Sequence, residues 1–134
     1  MAEQEGKPLP LIGTLRVSGG DTAGGFELIE YTGPLQPPPH VHRNREEVFY
    51  VLDGQFTFTV GTEVFDVSPG GTVFIPRGTR HGFTTTAGGR ALFVVAPAGL
   101  EGFFEELGAG VAAGRSGLEM REALAGKYDS IPAD

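Results

Sequence analysis

The sequence predicts an all-β domain, a small sandwich or barrel of antiparallel strands, followed by short helices. Short apolar runs punctuated by Gly and Pro fill the first hundred residues of a 134-residue chain that holds 22 Gly and 10 Pro. That rhythm indicates many turns joining short strands. Phe56, Phe58 and Val60 alternate with Gln55, Thr57 and Thr59, the period of two that turns one face of a strand to a core. After Pro97 the spacing changes, with Leu100, Phe103, Phe104 and Leu107 at helical intervals and Glu101, Glu105 and Glu106 between them, as in an amphipathic helix.

Taken in order, strands are expected over 11–17, 26–32, 47–53, 55–60, 62–67, 72–76, 81–86 and 90–96. Eight strands of this length suit a sandwich or barrel. The pair Asp53-Gly54 between EVFYVL and QFTFTV predicts a hairpin, because Gly adopts the positive φ that such a turn needs. Gly61-Thr62 and Ala87-Gly88-Gly89 read as further turns, and Pro37-Pro38-Pro39 as a stiff, extended lead-in. Gly108 to Gly114 reads as a breaker-rich link, after which Ser116 is placed to cap a second helix carrying Leu118, Met120, Ala123 and Leu124. One domain is expected over 1–134, with a β core at about 11–97 and a helical segment at about 98–134.

Charge and composition exclude several functions. Ten Lys and Arg against 17 Asp and Glu leave a formal charge of -7, the wrong balance for a phosphate-backbone binder, so no nucleic-acid partner is expected. No run approaches the roughly 20 apolar residues that span a bilayer, and the start MAEQEGKPLP lacks the basic and apolar regions of a secretory signal. A cytoplasmic protein with no membrane partner is the expectation. Without cysteine, any metal must be held by His, Asp or Glu.

The chain has three histidines, His40, His42 and His81. Two residues apart on an extended segment, His40 and His42 point their rings to one face, and neutral imidazole is the commonest metal-binding side chain. His81 is the only further imidazole, and Glu46 and Glu47 are the nearby carboxylates.

PPPHVHRNREEVFYVLDG resembles the first sequence motif of the cupin superfamily, and Gly70 to His81, GGTVFIPRGTRH, resembles the second. In that register Glu47, rather than Glu46, has the correct interval to Gly54, and Gly70, Pro76, Gly78 and His81 fall in place. Gly33 stands seven positions before His40 where the motif asks for six, and Thr85 replaces a terminal Asn. The resemblance implies a double-stranded β-helix, a jelly-roll barrel, and one divalent transition metal held by His40, His42, Glu47 and His81. Three nitrogens and one oxygen suit Fe, Mn, Ni, Co, Cu or Zn and leave positions open for substrate.

The wording from Phe56 through GTEVFDVSPGGTVFIPRG to PAGLEGFFEELG looks most like the small, single-domain, quercetinase-like cupins. That implies a dioxygenase acting on a small aromatic or enolisable, flavonol-like molecule, with Glu47 as catalytic base, and a homodimer. A metal-dependent isomerase, cyclase or lyase on the same site is the alternative, and a non-catalytic small-ligand binder the third reading. By the period-2 rule Phe49, Val51, Phe83 and Thr85 share faces with Glu47 and His81 and are expected to line a substrate pocket. Tyr31 and Phe58, with Phe74, Phe103 and Phe104, are further aromatic candidates for its walls, whereas Tyr50 is expected outside. Arg43, Arg45, Arg77 and Arg80 are placed to draw in an anionic substrate.

Overall fold

In a computed structural model that describes residues 3–133, two antiparallel sheets pack face to face as a jelly roll; Met1, Ala2 and Asp134 of the expected 1–134 domain lie outside the described residues. The strands are β1 (Lys7–Leu9), β2 (Gly13–Val17), β3 (Glu27–Tyr31), β4 (His40–Val41), β5 (Glu46–Asp53), β6 (Phe56–Val60), β7 (Glu63–Val67), β8 (Thr72–Ile75), β9 (His81–Thr85), β10 (Arg90–Ala96) and β11 (Ile131–Pro132). Helices α1 (Glu101–Ala112) and α2 (Gly117–Tyr128) precede β11. One sheet has the order β1-β2-β3-β10-β5-β8 and the other β11-β4-β9-β6-β7. Among the described residues no helix is long and apolar enough to cross a membrane.

The core lies between the sheets. Ile29, Tyr31, Phe49, Val51, Phe56, Phe58 and Val95 are buried there, one from every second position as the pleat requires. Their rings interlock: Tyr31 meets Phe83 edge-on at 5.0 Å between centroids, Phe49 stacks on Phe93 at 4.8 Å, and Phe58 lies 5.3 Å from Phe83. Tyr50, on the opposite face of β5, is exposed as expected.

Four expectations need correction. The stretch 11–17 is not one strand: Leu11 sits at a φ of 70°, which forces a turn, and β1 pairs with β2 on its other side. Asp53-Gly54 does turn the chain, with Gly54 at a φ of 79°, yet β5 and β6 belong to different sheets, so the turn is a corner rather than a hairpin. Helix α1 runs through Gly108 and Gly110, read above as part of a link. A Cβ at Gly108 would collide with Pro10 and one at Gly110 with Met120, so these glycines serve close packing. Ser116 does cap α2, accepting from Glu119 N at 3.0 Å. Lastly, the chain does not end on a helix. Beyond α2 it returns as β11, which pairs with β4 through Ile131↔Val41 and Pro132↔His40.

Candidate metal centre

The Pro37–Pro39 run has no N–H to donate, so only its carbonyls can tie it down, and all three are used. Pro37 O accepts from Phe83 N at 3.1 Å, Pro38 O from His40 Nδ1 at 2.8 Å, and Pro39 O from Ala133 N at 3.1 Å. Gly82 permits the crossing, since a Cβ there would stand 2.7 Å from Pro37 O. The run thereby delivers His40 opposite His81, its register partner between β4 and β9.

The structure brings together His40, His42, Glu47 and His81: one nitrogen or oxygen from each lies within 4.8 Å of all the others. His42, Glu47 and His81 are buried, and His40 is partly open. His81 Nε2 and Glu47 Oε1 stand 2.8 Å apart, and His42 Nε2 lies 3.3 Å from the same oxygen without a hydrogen bond of its own. Every ring is oriented from behind. His40 Nδ1 donates to Pro38 O, His81 Nδ1 to Thr79 O and His42 Nδ1 to Asp129 O, each at 2.8 Å. A carbonyl can only accept, so each Nδ1 carries the proton and each Nε2 is turned towards the cluster, the arrangement that backs metal-bound imidazoles.

These residues fit a metal. Donors on one ion with bonds of about 2.1 Å stand at most about 4.2 Å apart, so the cluster needs only a small contraction, and the orphaned His42 Nε2 gains a partner. Burial pushes the His40 imidazole down to about 3, helped by the neighbouring His81 and His42, which keeps its Nε2 lone pair free. For His42 burial opposes protonation, but the Glu47 charge outweighs it and raises the group above its ordinary value. For Glu47 burial works upward, and the two imidazoles more than reverse it, holding the carboxyl well below the usual range.

Glu46 lies on the opposite face of β5, half-buried, with Arg77 Nε at 3.7 Å. The predicted pocket lining is placed differently from expectation. Phe49, Val51, Phe58, Phe83 and Tyr31 fill the core against one another, because aromatic side chains in a domain this size leave no void between the sheets. Thr85 sits at the far end of β9, donating from Oγ1 to Gln55 O at 2.9 Å. Phe74 is exposed on the outer face and Phe104 is buried under the helices, whereas Phe103, an expected wall residue, does line a cavity beside His40. This cavity, bordered by one residue of the cluster, His40, lies between Pro37, Pro38, Phe103 and Pro132, and Arg121 stands on its wall.

None of the four expected arginines lines that cavity. Arg45 donates to Pro97 O and Ala98 O, Arg80 to Ala133 O, Arg77 faces Glu46, and Arg43 is exposed. Sequence reasoning missed Arg121 and Asp129. The Asp129 carboxylate accepts from Arg43 N at 2.9 Å and Asn44 N at 2.8 Å while its carbonyl orients His42. No local pattern marks either residue, because both matter only once the C-terminal segment has docked on β4.

Two stacked antiparallel sheets with an inward three-His, one-Glu cluster define the class. The Cupin domain model matches residues 30–97, half of the chain, and the chain belongs to that family. The polyketide cyclase RemF from Streptomyces resistomycificus is 34% identical, covering 72% of this chain and 70% of its own with a TM-score of 0.51. KdgF from Halomonas sp. is 19% identical over 71% of this chain and 89% of its own, TM-score 0.59, a likeness of fold. An uncharacterized protein of Methanocaldococcus jannaschii, MJ1618, is 40% identical over 42 residues, 31% of this chain and 34% of that protein, so the match spans about a third of that relative.

Proposed function

We propose that this protein is a mononuclear metal-dependent enzyme that moves a proton on a small aromatic or enolisable molecule, as an isomerase, cyclase or lyase does. The observation that carries the choice is the 34% identity to a polyketide cyclase, joined to a cluster whose three imidazoles all present Nε2 inward. His40, His42, Glu47 and His81 would hold one ion among Fe, Mn, Ni, Co, Cu and Zn. Such an ion supplies Lewis-acid polarisation of a carbonyl and stabilisation of the enolate. The chain does the rest. Pro38, Thr79 and Asp129 fix the imidazoles, and Glu47, whose Oε1 lies 2.8 Å from His81 Nε2, takes and returns the substrate proton.

Oxygen-dependent cleavage of a flavonol-like substrate is the second reading, favoured by the quercetinase-like wording of FTFTVGTEVFDVSPGGTVFIPRG. The experiment is elemental analysis followed by screening of enolic, polyketide-like and flavonol-like compounds with and without oxygen. Product formed anaerobically supports proton transfer. Product formed only with oxygen uptake replaces it with the dioxygenase, and stoichiometric binding without product replaces both with a binding protein.

A second copy is proposed on the outer face of the six-stranded sheet. Leu28, Val94, Val48 and Phe74 stand in one register row across four strands, with Val48 41% and Phe74 56% exposed, and the row ends at the sheet-edge strand β8. Light scattering on the native protein and on Phe74→Glu tests it: a dimer that the substitution turns into monomer supports the pairing, and a monomeric native protein ends it.

A further inference from the structure

Arg121 is unlike the other cations of this acidic protein. Lys7, Arg16, Arg77, Arg90, Arg115 and Lys127 each lie beside a carboxylate, and Arg45 and Arg80 donate to backbone carbonyls. Arg43 is exposed. Among the described residues Arg121, half-buried, has no ion pair or hydrogen bond, and its buried Nη1 has no partner. A buried guanidinium donor left unpaired is unfavourable, and such groups need an explanation.

Its position supplies one. Arg121 and His40 stand on the same cavity, whose remaining wall is apolar apart from Ser130. The cavity is small, about 30 Å³, so a group the size of a carboxylate fits within it while the rest of a ligand would lie along its rim. A planar guanidinium matches a carboxylate with two parallel hydrogen bonds, and Phe103, Leu35 and the prolines offer the surface on which a ring or short chain would lie.

We propose that this cavity binds the carboxylate of a small aromatic or enolisable acid on Arg121, with the rest of the molecule directed past His40 towards the cluster. The substrate class is therefore an organic acid rather than a neutral phenol, an assignment that rests on the proton-transfer reading of the His/Glu site. Helix α2, outside the matched family region of 30–97, supplies the residue that selects it.

The test is calorimetric titration of chelator-treated, metal-free full-length protein with benzoate and with its neutral isostere benzamide. Benzoate is expected to bind at least about tenfold more tightly than benzamide, the discrimination a charge-assisted pair supplies. Arg121→Gln is expected to remove that preference, and Arg121→Lys, which keeps the charge and loses the fork, to keep part of it. The lysine variant decides the matter if the glutamine variant does not fold. Equal binding of the two probes, no binding of benzoate, or an unchanged preference in Arg121→Gln overturns the proposal. Because the protein is metal-free, a carboxylate preference would survive failure of the metal reading. Conversely, metal loading of the native protein, measured separately by elemental analysis, would survive loss of the preference.

Discussion

The two ends of the barrel are built on the same strands and finished by different means. Inward positions of β5 run Glu47, Phe49, Val51 and those of β9 run His81, Phe83, Thr85. At one end Glu47 and His81 meet at 2.8 Å, and two residues further on Phe49 and Phe83 rings lie 5.6 Å apart. The aromatic end is closed by the barrel's own side chains. The polar end depends on a segment far along the chain: Asp129 reaches His42 across 87 positions, and Ala133 ties down both Pro39 and Arg80. A packed core supplies its own complementarity, whereas each buried imidazole needs a hydrogen-bond partner: His40 and His81 find one two residues back, at Pro38 O and Thr79 O, and His42 takes its partner from the distant segment.

The contrast can be broken most completely at the polar end. His81→Ala is expected to weaken metal binding by more than about 100-fold, beyond the loss of an outer partner, with circular dichroism unchanged; full metal occupancy in the variant would remove His81 from the ligand set. At the aromatic end Phe58→Ala should cost about 3–5 kcal/mol of stability in urea unfolding through the cavity it leaves, with metal stoichiometry intact. A loss of both together would mean that the ends are not separable.

A milder change sharpens the role of the C-terminal segment. Asp129 has a φ of 54°, so Asp129→Gly keeps the left-handed backbone and the carbonyl on His42 while deleting the carboxylate that holds Arg43 and Asn44 N–H. Chelator competition should show about tenfold weaker metal binding, and unchanged affinity would make the carboxylate irrelevant to the site.

The smallest effect concerns Glu27, buried beneath α1, whose Oε1 accepts from Leu100 N at 2.7 Å and Gly99 N at 3.2 Å. Burial raises its carboxyl above the ordinary 4.5, only partly offset by those two bonds and by the Arg45 charge. The folded protein then holds this proton more tightly than the unfolded chain. Its contribution to stability is complete below pH 4.5 and is lost as pH rises through the raised value. Thermal melts of Glu27→Gln, which keeps the acceptor, should lack that falling slope; an identical pH profile would show that Glu27 does not titrate in this window.

Much of the site was legible because its rules are local. Alternation placed Glu47 on the opposite face of β5 from Glu46, and motif spacing tied His40, His42 and His81 to one constellation. The corrections share a cause. Gly108 and Gly110 look like breakers until Pro10 and Met120 press against them, and Asp53-Gly54 looks like a hairpin until its two strands join different sheets.

The same reason left the place of the pocket open. Period two says which way Phe49, Val51, Phe58 and Phe83 point, and says nothing of whether space remains once Tyr31 and Phe93 arrive from other strands. By itself, then, the sequence determined the all-β class, the inward faces of the strands and the Ser116 cap, since each follows from neighbours in the chain, and its resemblance to the cupin motifs picked out the four clustered side chains. The tertiary structure alone decided where the cavity opens, that β11 returns to pair with β4, and that Asp129 and Arg121 stand at the site. Those depend on packing between segments about ninety residues apart, where chain spacing carries no geometric information.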